Sequence, residues 1–102
     1  MTEICNLKTA NKLDLPFTAW KILESEACEI VRFHLNPGEE IEAHANPNNA
    51  TFFIIRGKAG LQVDSGTFEL SKDDCIRIVK NINRKWQNIG NHVLEVLVFK
   101  EI

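Results

Sequence analysis

The chain has 102 residues, 44% of them hydrophobic and 25% charged, a composition that fits one compact globular unit with a single core. Its formal net charge is -2, and its lysines and arginines are scattered, so nothing in the sequence builds the basic field that nucleic acid requires. The amino-terminal stretch MTEICNLKTANK lacks a charged start followed by an apolar run, and no run of roughly eighteen apolar residues occurs anywhere. The expectation is a cytoplasmic protein without a membrane partner. Cys5, Cys28 and Cys75 are odd in number and lack C-x-x-C spacing, which suits a reducing compartment and supplies neither a disulfide framework nor a thiolate zinc site.

In chain order, AWKILESE (Ala19 to Glu26) has weak helical character, and its Trp and Ile suit a strand equally. ACEIVRFHL, Ala27 to Leu35, alternates, with Val31, Phe33 and Leu35 on one face and Ile30, Arg32 and His34 on the other. This puts His34 on the outside or at a subunit contact. The turn NPG ends that strand, and Ile41 to Asn46 resumes in extended form. After PNN, Thr51 to Arg56 is rich in β-branched and aromatic residues. Gly57 to Val63 leads into DSG, a hairpin turn, and Thr67 to Leu70 returns. DDCIRIV places Ile76 and Ile78 opposite Cys75, Arg77 and Val79, and RKWQN and VLEVLVFKE complete the series. His92 falls in the turn between those last two. Eight or nine short strands cannot lie in one open sheet without long sticky edges, so an all-β barrel or two-sheet sandwich follows, with a jelly roll as the leading form.

At this point the spacing becomes specific. A first motif of Gly, five residues, His-x-His, three or four residues, Glu, six residues and Gly reads here as Gly38, His44-Ala45-Asn46, Ala50 and Gly57. A second motif of Gly, five residues, Pro-x-Gly, two residues, His, three residues and Asn reads as Asp73, Val79-Lys80-Asn81, Arg84 and Asn88. Fifteen residues, 58 to 72, separate the two. In this the chain resembles the cupin family, in its small, single-domain, RmlC-like form. The resemblance implies a double-stranded β-helix over residues 1–102, with 27–100 as barrel core and 1–26 as amino-terminal strands. It also implies a homodimer, with Leu13 to Trp20 as a paired or swapped edge strand.

The departures are as informative as the match. In metal-dependent cupins two histidines and a glutamate of the first motif, with a histidine of the second, hold one divalent ion. Here only His44 remains; Asn46, Ala50 and Arg84 stand at the other positions. One imidazole, a weak amide donor and an alanine do not make a transition-metal site. At about 4 Å and an effective dielectric of about 20, two unit charges repel by roughly 4 kcal/mol, so a divalent ion beside Arg84 would face on the order of twice that.

The expectation is therefore a metal-independent pocket for a small, anionic ligand, without a cofactor. Arg84 is its anchor, His44, Asn46 and Glu42 its polar groups, and Phe52, Ile54 and Trp86 its walls by alternation from Ala50 and Arg84. Alternation also sets Glu42, His44 and Asn46 on one face, which leaves a second reading open: a displaced metal site on those three residues, in an enzyme of isomerase or dioxygenase type. A third reading is a structural or partner-binding dimeric module. Two plainer arrangements also stand: an Arg84–Glu42 ion pair sealing the barrel, or Phe52, Ile54 and Trp86 simply filling it.

Overall fold

The computed structural model describes residues 2–102. Ten strands form two facing sheets, and no helix occurs among the described residues. They are β1 (Asn11–Lys12), β2 (Thr18–Glu24), β3 (Cys28–Leu35), β4 (Glu40–His44), β5 (Ala50–Arg56), β6 (Lys58–Val63), β7 (Gly66–Ser71), β8 (Cys75–Ile78), β9 (Arg84–Asn88) and β10 (Leu94–Glu101). The larger sheet runs β1-β2-β3-β10-β5-β8 and the smaller β4-β9-β6-β7, every neighbouring pair antiparallel. Non-consecutive neighbours such as β3 and β10 give the crossed-over order of a jelly roll. The ambiguous AWKILESE segment is strand β2, because pairing with β3 buries Ala19 against the core.

Period-two alternation explains the core. On β3, Val31, Phe33 and Leu35 are buried, and β10 sets Val98, Val96 and Leu94 directly opposite them. On the other side of β10, Ile54 pairs with Val96 and Phe52 with Val98. The small sheet answers with Trp86, flanked across its strands by Ile41 and Leu61. Side chains of this kind each contribute about 1.5–3 kcal/mol when fully buried. Asn88 is the exception that stitches the layers: its amide nitrogen donates to the carbonyls of Leu35 (2.9 Å) and His92 (2.8 Å), and its oxygen accepts from Gly90 N (2.9 Å).

The conformations at the motif glycines account for the motif. Gly38 and Gly57 have φ of 84° and 96°, and the residues at the second motif's two glycine positions, Asp73 and Asn81, have φ of 74° and 65°. All four sit in the left-handed region, where Gly is free of strain and Asn or Asp is tolerated. At Gly57 there is a steric demand as well, since an added Cβ would lie 3.0 Å from Leu94 Cα and from Val93 O.

The outer face of the large sheet holds a part-buried histidine, His34, in a cluster with Arg32 and Glu95. Arg32 Nε donates to His34 Nε2 at 3.0 Å, and Arg32 also pairs with Glu95. The edge of the Trp20–His34 ring pair, 4.8 Å between centroids, covers the same histidine. Burial, and then the Arg32 charge, hold the His34 pKa below its ordinary value, against a weaker opposing pull from Glu95. The fold therefore favours neutral His34, and that preference is lost progressively as pH falls through about 6.5, the unfolded value.

Two measurements follow. Gly57→Ala lowers the urea-unfolding free energy by about 1–3 kcal/mol, whereas Asn81→Gly, already left-handed, changes it by less than about 1 kcal/mol. Between pH 8 and pH 5 the wild type loses more thermal stability than His34→Gln, which has no proton to take up; parallel profiles would contradict the assignment.

Candidate functional site

Between the sheets lies a cavity of about 760 Å³. Its large-sheet wall is Val31, Phe33, Phe52 and Val98, and its small-sheet wall is Ile41, Arg84 and Trp86. The rim is polar, with Glu40, Glu42, His44, Asn46 and Lys100. Leu13, Leu15, Pro16 and Phe17, from the segment joining β1 to β2, complete the lining.

Arg84 faces inward. The pairing of β9 with β4 and β6 puts Arg84 opposite His44 and Val63, and leaves the guanidinium side chain only 3% exposed. Lys85, one residue on, turns outward and pairs with Glu40 at 3.4 Å. A one-residue slip would have exchanged the two. The Nε and Nη1 atoms of Arg84 are buried without a hydrogen-bond partner, as is Nε1 of Trp86. The Arg84–Glu42 ion pair is not formed. What faces the guanidinium instead is the Phe52 ring, 5.5 Å from its central carbon, and a cation over an aromatic face recovers part of the lost hydration. Burial alone moves the Arg84 pKa down, the mark of a charge withdrawn from water without a paired carboxylate.

The aromatic side chains form one continuous set. Phe17 meets Phe33 edge-on (6.0 Å), Phe33 meets Trp86 edge-on (6.1 Å), and Trp86 tilts over Phe52 at 4.8 Å. Phe52 and Trp86 thus border the cavity as alternation predicts. Ile54 does not border it; it is fully buried among Val96 and its neighbours, so the wall ends one alternation earlier than the sequence suggests.

The rim follows a different logic. Between Ile41 and His44 the β4–β9 register shifts, so both Ile41 and His44 lie opposite inward residues of β9 although they are three apart. Strict alternation therefore does not carry through β4, and Glu42 is exposed at the rim rather than aligned with His44 across a single face. The His44 ring sits with Nδ1 3.0 Å from the carbonyl oxygen of Glu42. A carbonyl only accepts, so neutral His44 carries its proton on Nδ1 and presents Nε2 as an acceptor. Asn46 accepts from Asn48 N with its side-chain oxygen (2.9 Å) and from Asn81 N with its backbone oxygen (2.8 Å), and the residue lines the cavity.

These residues do not fit a divalent metal ion. Among the described residues no three His, Cys, Asp or Glu side chains come together as a ligand set. The position nearest His44 across the strand pair is occupied by a fixed positive charge. Asn46 has its better donor atom, the amide oxygen, already engaged.

Sequence reasoning missed the contribution of Leu13, Leu15, Pro16 and Phe17, which it assigned to an edge strand. Their Leu-x-Leu-Pro-Phe pattern was the available signal: Pro interrupts the strand ladder while the flanking apolar side chains still need cover. Phe33 and Val98 were legible as inward-facing; that they line space rather than fill it was not.

The family model described as a cupin domain matches residues 31–100. No curated protein sequence matches significantly. Among solved structures, the chain is similar to an RmlC-like cupin family protein with a double-stranded β-helix fold from Methanocaldococcus jannaschii. That pair shares 22% identity over 99% of this chain and 91% of that one, with a TM-score of 0.84. A predicted oxalate decarboxylase from Thermotoga maritima gives 15% identity, 98% and 99% coverage and a TM-score of 0.85. The polyketide cyclase RemF from Streptomyces resistomycificus gives 15%, 99% and 80%, and 0.84. At these identities the structures speak for the fold, and together with the family match they establish that this chain belongs to the cupin family.

Proposed function

We propose that this cupin binds a small anionic molecule in the cavity between its sheets, without a metal ion, and that Arg84 is the anchor. Phe52 and Trp86 are the walls, and His44, Asn46 and Glu42 are polar groups at the entrance. The observation that carries this reading is the Arg84 guanidinium, 3% exposed, with Nε and Nη1 unpartnered. A buried, unsatisfied polar group costs about 1–3 kcal/mol, and more when it is charged. An anion would supply the missing charge and acceptors for charge-assisted hydrogen bonds. The cavity volume falls within the roughly 300–1,000 Å³ range of small-molecule sites, and its apolar walls with few polar groups are of the same kind.

The reading assigns binding and no reaction. Several structural neighbours bear enzyme names, yet the same barrel supports unrelated chemistries, so a reaction does not transfer with the fold. A displaced metal site on Glu42, His44 and Asn46 finds no support in the geometry: Glu42 lies outside the alternation that would align it, and the Asn46 oxygen is engaged.

Two outcomes are expected. Arg84→Met, which replaces the unpaired charge by an apolar chain of similar length, stabilises the ligand-free protein by on the order of 1 kcal/mol or more in urea unfolding. In thermal melts against a panel of small carboxylates and phosphates, at least one anion raises the wild-type Tm. The shift is about 10 °C or more at a hundredfold excess over Kd. The same anion leaves Arg84→Met unmoved. A panel without effect, or an equal response in the variant, would contradict the proposal, as would stabilisation by Mn²⁺, Fe²⁺, Ni²⁺ or Zn²⁺ at stoichiometric concentration.

A further inference from the structure

Resting on that reading of the cavity, we infer that the ligand is a monocarboxylic acid with an apolar body, bound carboxylate-first against Arg84 and Trp86, and that phosphate esters and dicarboxylates are rejected. Three observations point the same way.

The first concerns the kind of polar atom that lines the inner end. Among the described residues, the buried polar or charged side chains are Arg84 and Asn88. The Asn88 amide is fully used on Leu35 O, His92 O and Gly90 N. What remains unsatisfied is Arg84 Nε, Arg84 Nη1 and Trp86 Nε1, all donors. A guanidinium and an indole N–H cannot accept. The ligand's inner end must therefore consist of acceptors, and a hydroxyl-rich end would leave its own donors unpaired. Both side chains stand two residues apart on the inward face of β9, and both contact the same Phe52 ring. A planar acceptor group seated against the guanidinium meets part of this set, and every member of the set calls for an acceptor.

The second concerns how much charge the site balances. Arg84 is the one buried cation among the described residues. The lysine at the rim, Lys100, is engaged with Glu29 at 3.7 Å, and Lys85, next to Arg84 in the chain, with Glu40 at 3.4 Å. A carboxylate carries one negative charge and is matched. A phosphate ester carries about -1.5 to -2 at neutral pH, so part of that charge would be buried without a counterion, which is strongly unfavourable. Glu42 at the rim adds negative charge toward the outer end of the ligand, against a second carboxylate there.

The third concerns the rest of the ligand. Beyond Arg84 and Trp86 the cavity is walled by Val31, Phe33, Ile41, Phe52 and Val98, with Phe17 toward the opening. None of these offers a hydrogen bond to a sugar or a polyol. They favour a hydrocarbon or aromatic body.

Isothermal titration of the full chain with octanoate, benzoate, octanamide, succinate and inorganic phosphate tests this. Octanoate or benzoate is expected to bind at least tenfold more tightly than succinate and phosphate, and at least tenfold more tightly than octanamide, which has the body without the charge. Trp86→Phe keeps the aromatic packing and removes the N–H; it is expected to lower the carboxylate-over-amide preference several-fold. Arg84→Lys, which keeps the charge and loses the fork, is expected to retain weakened binding while Arg84→Met abolishes it. If phosphate or succinate binds as tightly as the monocarboxylates and depends on Arg84, the monocarboxylate inference is overturned while the anion-binding reading stands. If octanamide equals octanoate, or if Arg84→Met binds as the wild type does, both are overturned.

Discussion

A guanidinium lies between two apolar sheets with most of its hydrogen-bonding capacity unused, and much of the structure can be understood as what holds it there. Packing around β9 withdraws the side chain almost wholly from bulk water: Arg84 is 3% exposed, Trp86 on the same face is 1% exposed, and the strand is hydrogen-bonded on both edges, to β4 and β6. Phe52 offers the charge an aromatic face, the only compensation that nearby side chains provide. Hydrophobic burial across the two sheets makes this arrangement affordable, since stability is the small difference between large opposing contributions. A protein selected for stability alone would place an aliphatic side chain at position 84.

The same point explains how a family built around a metal can be represented by a chain whose residues do not form a metal site. In both cases the barrel interior holds positive charge next to the His44 position. A divalent ion must be gripped by several lone pairs, so it requires imidazoles and carboxylates converging on one point. An arginine is covalently attached, so the positions around it are free to become Asn46 and Ala50, which need not grip an ion. The consequence for chemistry is direct: a metal polarises or activates what it binds, whereas a guanidinium mainly orients and neutralises it.

Much of the fold was legible in the sequence because alternation has a fixed period. Val31, Phe33 and Leu35, or Arg84 and Trp86, had to share a face once they were strand residues, and the motif spacing set the register that places Arg84 rather than Lys85 inside. Asp73 and Asn81 at glycine positions of the second motif kept their left-handed backbone, which their side chains tolerate. What could not be read was anything that breaks the period or depends on distant packing. The register shift between Ile41 and His44 moves Glu42 out of line, and no local residue pattern announces it. Leu13 to Phe17 reach the cavity by packing against the sheets, as Phe17 does on Phe33, contacts that their own short pattern does not announce. Whether Phe52 and Trp86 fill or line space depends on how far apart the sheets stand, which is a property of the whole fold.

The most direct test is the Nε–H resonance of Arg84 in two-dimensional proton–nitrogen spectra, assigned by its loss in Arg84→Met. Because that hydrogen is buried and unpartnered, it should exchange with water far more slowly than those of the exposed Arg56 and Arg77, and should move downfield when benzoate or octanoate is added. An Arg84 signal that exchanges as fast as theirs, or that stays still at saturating carboxylate, would contradict a guanidinium held inside the barrel to receive an anion.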